Sequence, residues 1–229
     1  MSSSFVRQES GLHGSSGTSV VRPLATAISN GQFIFMVLER GNAATETIAG
    51  VTSDGAGATW TRMVDFDNTA TGGNERFSAW YGIIRAATTT VTANFNISST
   101  ASTSMALYVC AGLDPLAVPQ AVGQYQNTAP NTTDGVSSGL LTPAGQPGLL
   151  VGFAQCLFAQ TFTASAPFVD RGAITNGNSA KWEDKALTST TAIATTFTAT
   201  TNSSPTGTIA FYVQDAGIVP SSNRIFFFG

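Results

Sequence analysis

A chain of 229 residues with 42% hydrophobic side chains can bury a sizeable core, but only 10% of its residues are charged, against about 25% in average globular proteins. Its wet surface must come from Thr, Ser, Asn and Gln, and a net charge of -3 with scattered Lys and Arg leaves no electrostatic footprint for nucleic acid. The opening Met1-Ser-Ser-Ser-Phe-Val-Arg lacks the basic start and apolar centre of a secretory leader, and no apolar run approaches the roughly 20 residues of a membrane helix. The expectation is a protein made in a cytoplasm, with no membrane partner, that stays there or leaves by lysis.

In chain order, residues 1–19 are Ser- and Gly-rich and read as an N-terminal arm. Val20-Val-Arg-Pro23 suits a short edge strand, because proline removes a ladder donor. Gln32-Phe-Ile-Phe-Met-Val-Leu38 is the first long apolar run and predicts a central strand. Ile48–Ser53, the glycine-rich Asp54-Gly-Ala-Gly-Ala-Thr59 and Trp60–Phe66 predict a hairpin. Phe77–Ile84 follows, then Val91-Thr-Ala-Asn-Phe-Asn-Ile97, which alternates with a period of two, and then Met105-Ala-Leu-Tyr-Val-Cys110, apolar throughout. Asp114-Pro115 and Val118-Pro119 break regular structure, and the stretch to Asn131 has no strong period, which marks a crossover. Nowhere does a helical apolar period persist for three turns.

The second half echoes the first. Gly145-Gln146 before Leu149–Ala154 matches Gly31-Gln32 before its apolar run, and Ser179-Ala-Lys-Trp182 matches Ser78-Ala-Trp80. Thr196–Ser204 matches Thr90–Ser99, and Ile209-Ala-Phe-Tyr-Val213 matches Met105-Ala-Leu-Tyr-Val109. The fold class this predicts is all-β: one antiparallel two-sheet β-sandwich over residues 20–219, jelly-roll-like, with about ten strands from degenerate half-repeats at 31–113 and 145–218, both halves contributing strands. The core strands centre on Phe35, Leu107, Val151 and Phe211.

Chemistry is sparse. The sole histidine, His13, lies in the arm, which leaves a Ser-His-Asp triad without a base. One histidine and two distant cysteines do not make a zinc site. Cys110 and Cys156 fit two buried thiols or one disulfide joining the halves. Carboxylates at Asp65, Asp67, Glu75, Glu183 and Asp184, like an oxygen-rich loop of Asp65, Asp67, Asn68 and Glu75, read as ordinary solvated groups rather than a catalytic pair or a calcium site. Trp60, Trp80 and Trp182 fit either core packing or sugar stacking. No nucleotide fingerprint appears, and no cofactor is expected.

Gly31-Gln32 with its apolar strand, Val51-Thr-Ser-Asp-Gly-Ala-Gly-Ala-Thr-Trp60, Ala79-Trp-Tyr81, the Thr-Val-Thr strand and Leu107-Tyr-Val-Cys-Ala-Gly112 resemble, in that order, a diffuse group of sandwich domains in bacteriophage virion proteins and phage-like bacterial proteins. Ala58 stands where that group commonly carries asparagine. The resemblance spans most of residues 31–218 and implies a sandwich fold and a virion setting.

The expected function is therefore a non-enzymatic structural protein of a bacteriophage virion, first of all a capsid decoration protein, with a tail or fibre component or a carbohydrate-binding adhesion module as alternatives. The absence of heptads, collagen-like repeats and a β-helix period favours decoration over a fibre. Partners would be major capsid or tail proteins, further copies of the chain in a homo-oligomer, and, for an adhesion module, a host-surface glycan. The expected partner-binding residues lie at the ends. Residues 220–229 form an apolar tail in which Arg224, Ile225, Phe226, Phe227 and Phe228 would add to a neighbour's sheet edge or groove, or fold back on their own domain. Phe5 and Arg7 would anchor the other end.

Overall fold

The structure is a computed structural model, and it describes residues 3–10, 17–40, 47–55, 58–67, 75–99, 103–127, 133–156, 160–175, 179–200 and 205–217. Among them are sixteen strands and no helix. The first eight are β1 (Ser4–Ser10), β2 (Gly17–Ile28), β3 (Phe33–Arg40), β4 (Ile48–Ser53), β5 (Thr59–Asp67), β6 (Arg76–Ile83), β7 (Thr88–Ser99) and β8 (Thr103–Ala111). The second eight are β9 (Gln120–Asn127), β10 (Thr133–Ser137), β11 (Gly148–Cys156), β12 (Thr161–Ala164), β13 (Val169–Thr175), β14 (Ser179–Leu187), β15 (Thr196–Thr200) and β16 (Pro205–Gln214).

All strand pairings are antiparallel. The first eight strands make a five-stranded sheet, β1-β8-β3-β6-β5, and a three-stranded sheet, β2-β7-β4. Adding eight to every label gives the other two sheets, β9-β16-β11-β14-β13 and β10-β15-β12. The two five-stranded sheets pack face to face in a sandwich-like arrangement. Phe33, Phe35 and Val37 from β3 meet Leu149, Val151 and Phe153 from β11 in one core, where the rings of Phe35 and Phe211 are 4.9 Å apart. On the opposite face of β3, Ile34, Met36 and Leu38 pack with Leu107 against Val51, Val91 and Ala93 of the first three-stranded sheet. Ala154 and Cys156 do the same against Val136, Phe162 and Phe197 of the second.

This layering explains the two kinds of apolar run. β3, β8 and β11 are covered on both faces, so nearly every position is buried and the sequence has no period. β15 belongs to an outer sheet with one wet face, and its burial alternates. Phe35, Leu107, Val151 and Phe211 are all fully buried. Replacing Leu107 with alanine is expected to cost about 2–5 kcal/mol of unfolding free energy, the usual range for a buried leucine that leaves a cavity. A loss below about 0.5 kcal/mol in urea titration would show that the site collapses around the gap.

Several expectations need correction. Residues 1–19 are not simply an arm: Ser4–Ser10 is β1, paired with β8, and Gly17 begins β2. Sixteen strands are described rather than about ten, because edge strands such as β9 and β13 carry little continuous apolar character. The stretch after the crossover is thus β9, and the corresponding halves begin at β1 and β9, earlier than 31 and 145. The described strands form four sheets rather than two, each drawn from β1–β8 or β9–β16 alone.

The predicted hairpin at Asp54 also does not form. β4 pairs with β7, and β5 pairs with β6 in a different sheet. The Asp54 carboxylate instead staples the layer change, accepting hydrogen bonds from the backbone N–H groups of Thr89 (2.8 Å) and Thr90 (2.9 Å) and from the Thr89 hydroxyl. Those bonds hold its pKa below the ordinary value, the Thr89 hydroxyl contributing most.

The internal match slips by one residue at two strands. Cys110 lies opposite Phe33, and Val213 lies opposite Leu149, so Tyr108 corresponds to Phe211 rather than to Tyr212. A slip of one turns a strand residue to the other face. Tyr108 accordingly faces the core between the five-stranded sheets while Tyr212 faces away from it, and Trp182 and Trp80 are divided in the same way. Of the two readings of the cysteines the structure has the two buried thiols: Cys110 and Cys156 are both free, the first in the core between the five-stranded sheets and the second against the outer sheet of its own half.

Candidate functional site

Of the residues expected to bind partners, Arg224, Ile225, Phe226, Phe227 and Phe228 lie outside the described residues, as does His13. Phe5 and Arg7 are described, and both are engaged within their own chain. The Phe5 ring lies 5.1 Å from that of Tyr108 on the neighbouring strand β8. The Arg7 guanidinium pairs with Glu9 at 2.9 Å and donates to the backbone carbonyl of Thr26. Glu9 is buried and also accepts from the backbone N–H of Ala25 at 3.1 Å. Phe5 thus packs β1 on its neighbour in the sheet, while Arg7 and Glu9 tie it to β2 of the three-stranded sheet.

Phe5 belongs to a polar clamp across the two halves that the sequence did not signal. The Arg171 guanidinium on β13 stands over the Phe5 ring, 4.7 Å from its centroid. The same guanidinium grips Asp184 on β14 with two hydrogen bonds, of 2.6 Å and 2.9 Å. Tyr108 of the first half donates its hydroxyl to that carboxylate. Burial first, and then the charge of Asp184, push the Tyr108 phenol well above its ordinary range. The hydrogen bond that Arg171 donates to Asp184 raises the guanidinium's pKa in turn. Both carboxylate oxygens are engaged by donors from two strands and two halves, an arrangement that ties the sheets together.

The adjacent carboxyl points the other way, because successive strand residues alternate. Glu183 is fully buried on the opposite face of β14, where one oxygen accepts from the backbone N–H of Thr196 at 3.2 Å. Its Oε2 has no hydrogen-bond partner among the described residues. Burial pushes its pKa up to about 8, against the opposing backbone hydrogen bonds from Thr196 and Ser165. Glu183 is packed so tightly that a Cβ at Gly152 would come within 2.8 Å of its Cγ. Neighbours in sequence, Glu183 and Asp184 are separated by the sheet and do not form an acid–base pair.

The remaining carboxylates have structural partners too. Asp65 accepts two bonds from Arg76, at 2.8 Å and 3.0 Å. No group of three or more metal-ligating His, Cys, Asp or Glu residues occurs among the described residues; Asn68 of the oxygen-rich loop lies outside them. Trp182 is fully buried and Trp80 nearly so, with its indole N–H donated to Ser78 at 2.8 Å. Trp60 packs beside the outer core of the first half, close enough to Gly82 that a Cβ there would meet its ring at 2.7 Å.

The surface feature that stands out is apolar. Leu116 is 88% exposed, Val118 81% and Leu140 72%, the three most exposed large hydrophobic residues described. Leu116 and Val118 sit on the crossover between β8 and β9. Leu140 follows Gly139, whose Cα lies beside Val122 of β9. Gln120, at the start of β9, holds that second segment by donating to the carbonyl of Thr142 (3.1 Å) and accepting from the N–H of Ala144 (2.8 Å). The two polar contacts hold the 138–144 segment beside the start of β9, two residues beyond Val118.

No known protein family, curated protein or solved structure matches this chain.

Proposed function

We propose that the protein is a non-enzymatic structural component of a bacteriophage virion, most of all a capsid decoration protein that assembles with further copies and with major capsid proteins. The observation that carries the reading is the winding of the halves. In each, the first strand pairs with the eighth, the second with the seventh and the third with the sixth, a nesting that supports a jelly-roll-like reading, the kind of fold used by viral capsid domains. The fifth strand departs from it, lying at the edge of the larger sheet beside the sixth. Two such units stacked back to back make a thick block wetted mainly by Thr, Ser and Asn, a surface suited to close neighbours rather than to solvent-borne ionic partners.

The test is the protein content of purified particles. Hundreds of copies per particle are expected for a decoration protein. A small multiple of three or six would replace this role with a tail or fibre one, and absence from particles would overturn the virion reading. The carbohydrate-binding alternative loses Trp80 and Trp182 as stacking platforms, so glycan-array binding is expected to be absent.

A further inference from the structure

We propose that the C-terminal segment Ile225–Phe228 docks in its own chain on the exposed apolar side chains around the start of β9, Leu116 and Val118 of the crossover and Leu140 of the segment that Gln120 holds beside it. The chain path brings the two together. The last described residues run beside the start of the crossover: Leu113 bridges to Asp215, Asp114 donates its N–H to the carbonyl of Gln214 at 2.9 Å, and Ala216 donates to the carbonyl of Gly112 at 2.9 Å. Leu116 is three residues beyond Leu113, and Val118 five. Ile225 follows Gly217 by eight residues, a tether that spans at most about 28 Å at about 3.5 Å per residue. A short tether holds its end at roughly millimolar effective concentration, so a surface beside the exit is occupied by the chain's own tail before another copy's.

Chemistry agrees with the path. Ile225, Phe226, Phe227 and Phe228 are four consecutive large apolar residues, and Leu116, Val118 and Leu140 are the most exposed large hydrophobic side chains among the described residues. Covering each with the other removes both from water. At the exit, Asp215 is 5% exposed, and its Oδ1 has no hydrogen-bond partner among the described residues. A buried acceptor left unpaired is costly, and Arg224, immediately before the apolar run, brings a guanidinium to answer it. The inference does not rest on the virion reading, because it concerns the isolated chain in solution.

The test uses the full-length protein carrying Val118→Cys and Phe227→Cys, since native Cys110 and Cys156 are buried and report separately. Mild oxidation at low protein concentration is expected to give one intrachain disulfide, seen by intact mass and by non-reducing electrophoresis as a monomer. In a second measurement, Val118→Cys alone is labelled with a maleimide, and its reaction is expected to run at least ten-fold slower in the full chain than when Phe226, Phe227 and Phe228 are also changed to serine. Disulfide-linked dimers would overturn docking in the same chain in favour of exchange between copies. Unlinked thiols, or equal labelling rates, would overturn the docking itself.

Discussion

Replacing Asp184 with alanine is expected to lower the unfolding free energy by about 3–5 kcal/mol, the range for removing one partner of a buried ion pair. The carboxylate is nearly inaccessible, with 4% side-chain exposure, while Arg171 retains 28%, so solvent screens this pair far less than a surface one. Alanine strands two groups at once. The Tyr108 hydroxyl loses its acceptor in a core where it is fully buried, and the guanidinium over the Phe5 ring loses its carboxylate. A buried unsatisfied hydroxyl alone costs about 1–3 kcal/mol. Because Tyr108 and Phe5 belong to the first half and Arg171 and Asp184 to the second, the variant is also expected to loosen the coupling between halves, so that denaturant unfolding followed by tryptophan fluorescence and by circular dichroism no longer coincides. Adding Tyr108→Phe should recover part of the loss, since it removes the stranded donor. A loss below about 1 kcal/mol with coincident transitions would show that the clamp is replaceable by water.

Glu183 is expected to make the protein less stable as pH rises through neutrality. An unfolded glutamate ionises near pH 4.5, whereas burial holds native Glu183 protonated to about 8. Below pH 4.5 both states carry the proton and the group contributes no pH dependence. Between the two values the unfolded chain has released a proton that the native one keeps, so stability falls by up to about 1.4 kcal/mol per pH unit. Above pH 8 the loss levels off, at about 5 kcal/mol if the full difference is realised. Glu183→Gln has nearly the same shape and no proton to lose. It should leave stability at pH 4 little changed, remove most of the downward slope between pH 5 and 8, and exceed the wild type at pH 8. Chemical denaturation at these pH values decides it: parallel curves for the two proteins would mean that native Glu183 ionises like an exposed residue.

The strands legible in the sequence are those whose environment leaves a period or a run. Phe33–Leu38, Met105–Cys110, Leu149–Ala154 and Ile209–Val213 are apolar throughout because both faces of their sheets are covered, and Thr196–Thr200 alternates because one face is wet. These local patterns determined the all-β class and the echo between halves. β1, β9 and β13 were not legible, since an edge strand satisfies its backbone on one side and needs few apolar side chains to do so. Partner choice was not legible either. Ile48–Ser53 and Trp60–Phe66 have the length and spacing of a hairpin, but the pairing of β4 with β7 and of β5 with β6, with Asp54 bonded to Thr89 and Thr90 between them, carries them into separate layers. The facing of Tyr108 and Trp182 depended on a register that slips by one relative to the sequence match, and composition carries no information about register. The clamp shows the limit most clearly. Alternation along β14 implies that Glu183 and Asp184 diverge, but that Asp184 meets an arginine 13 residues before it and a tyrosine 76 residues before it follows only from stacking one five-stranded sheet on the other, which sets distances that no local spacing encodes.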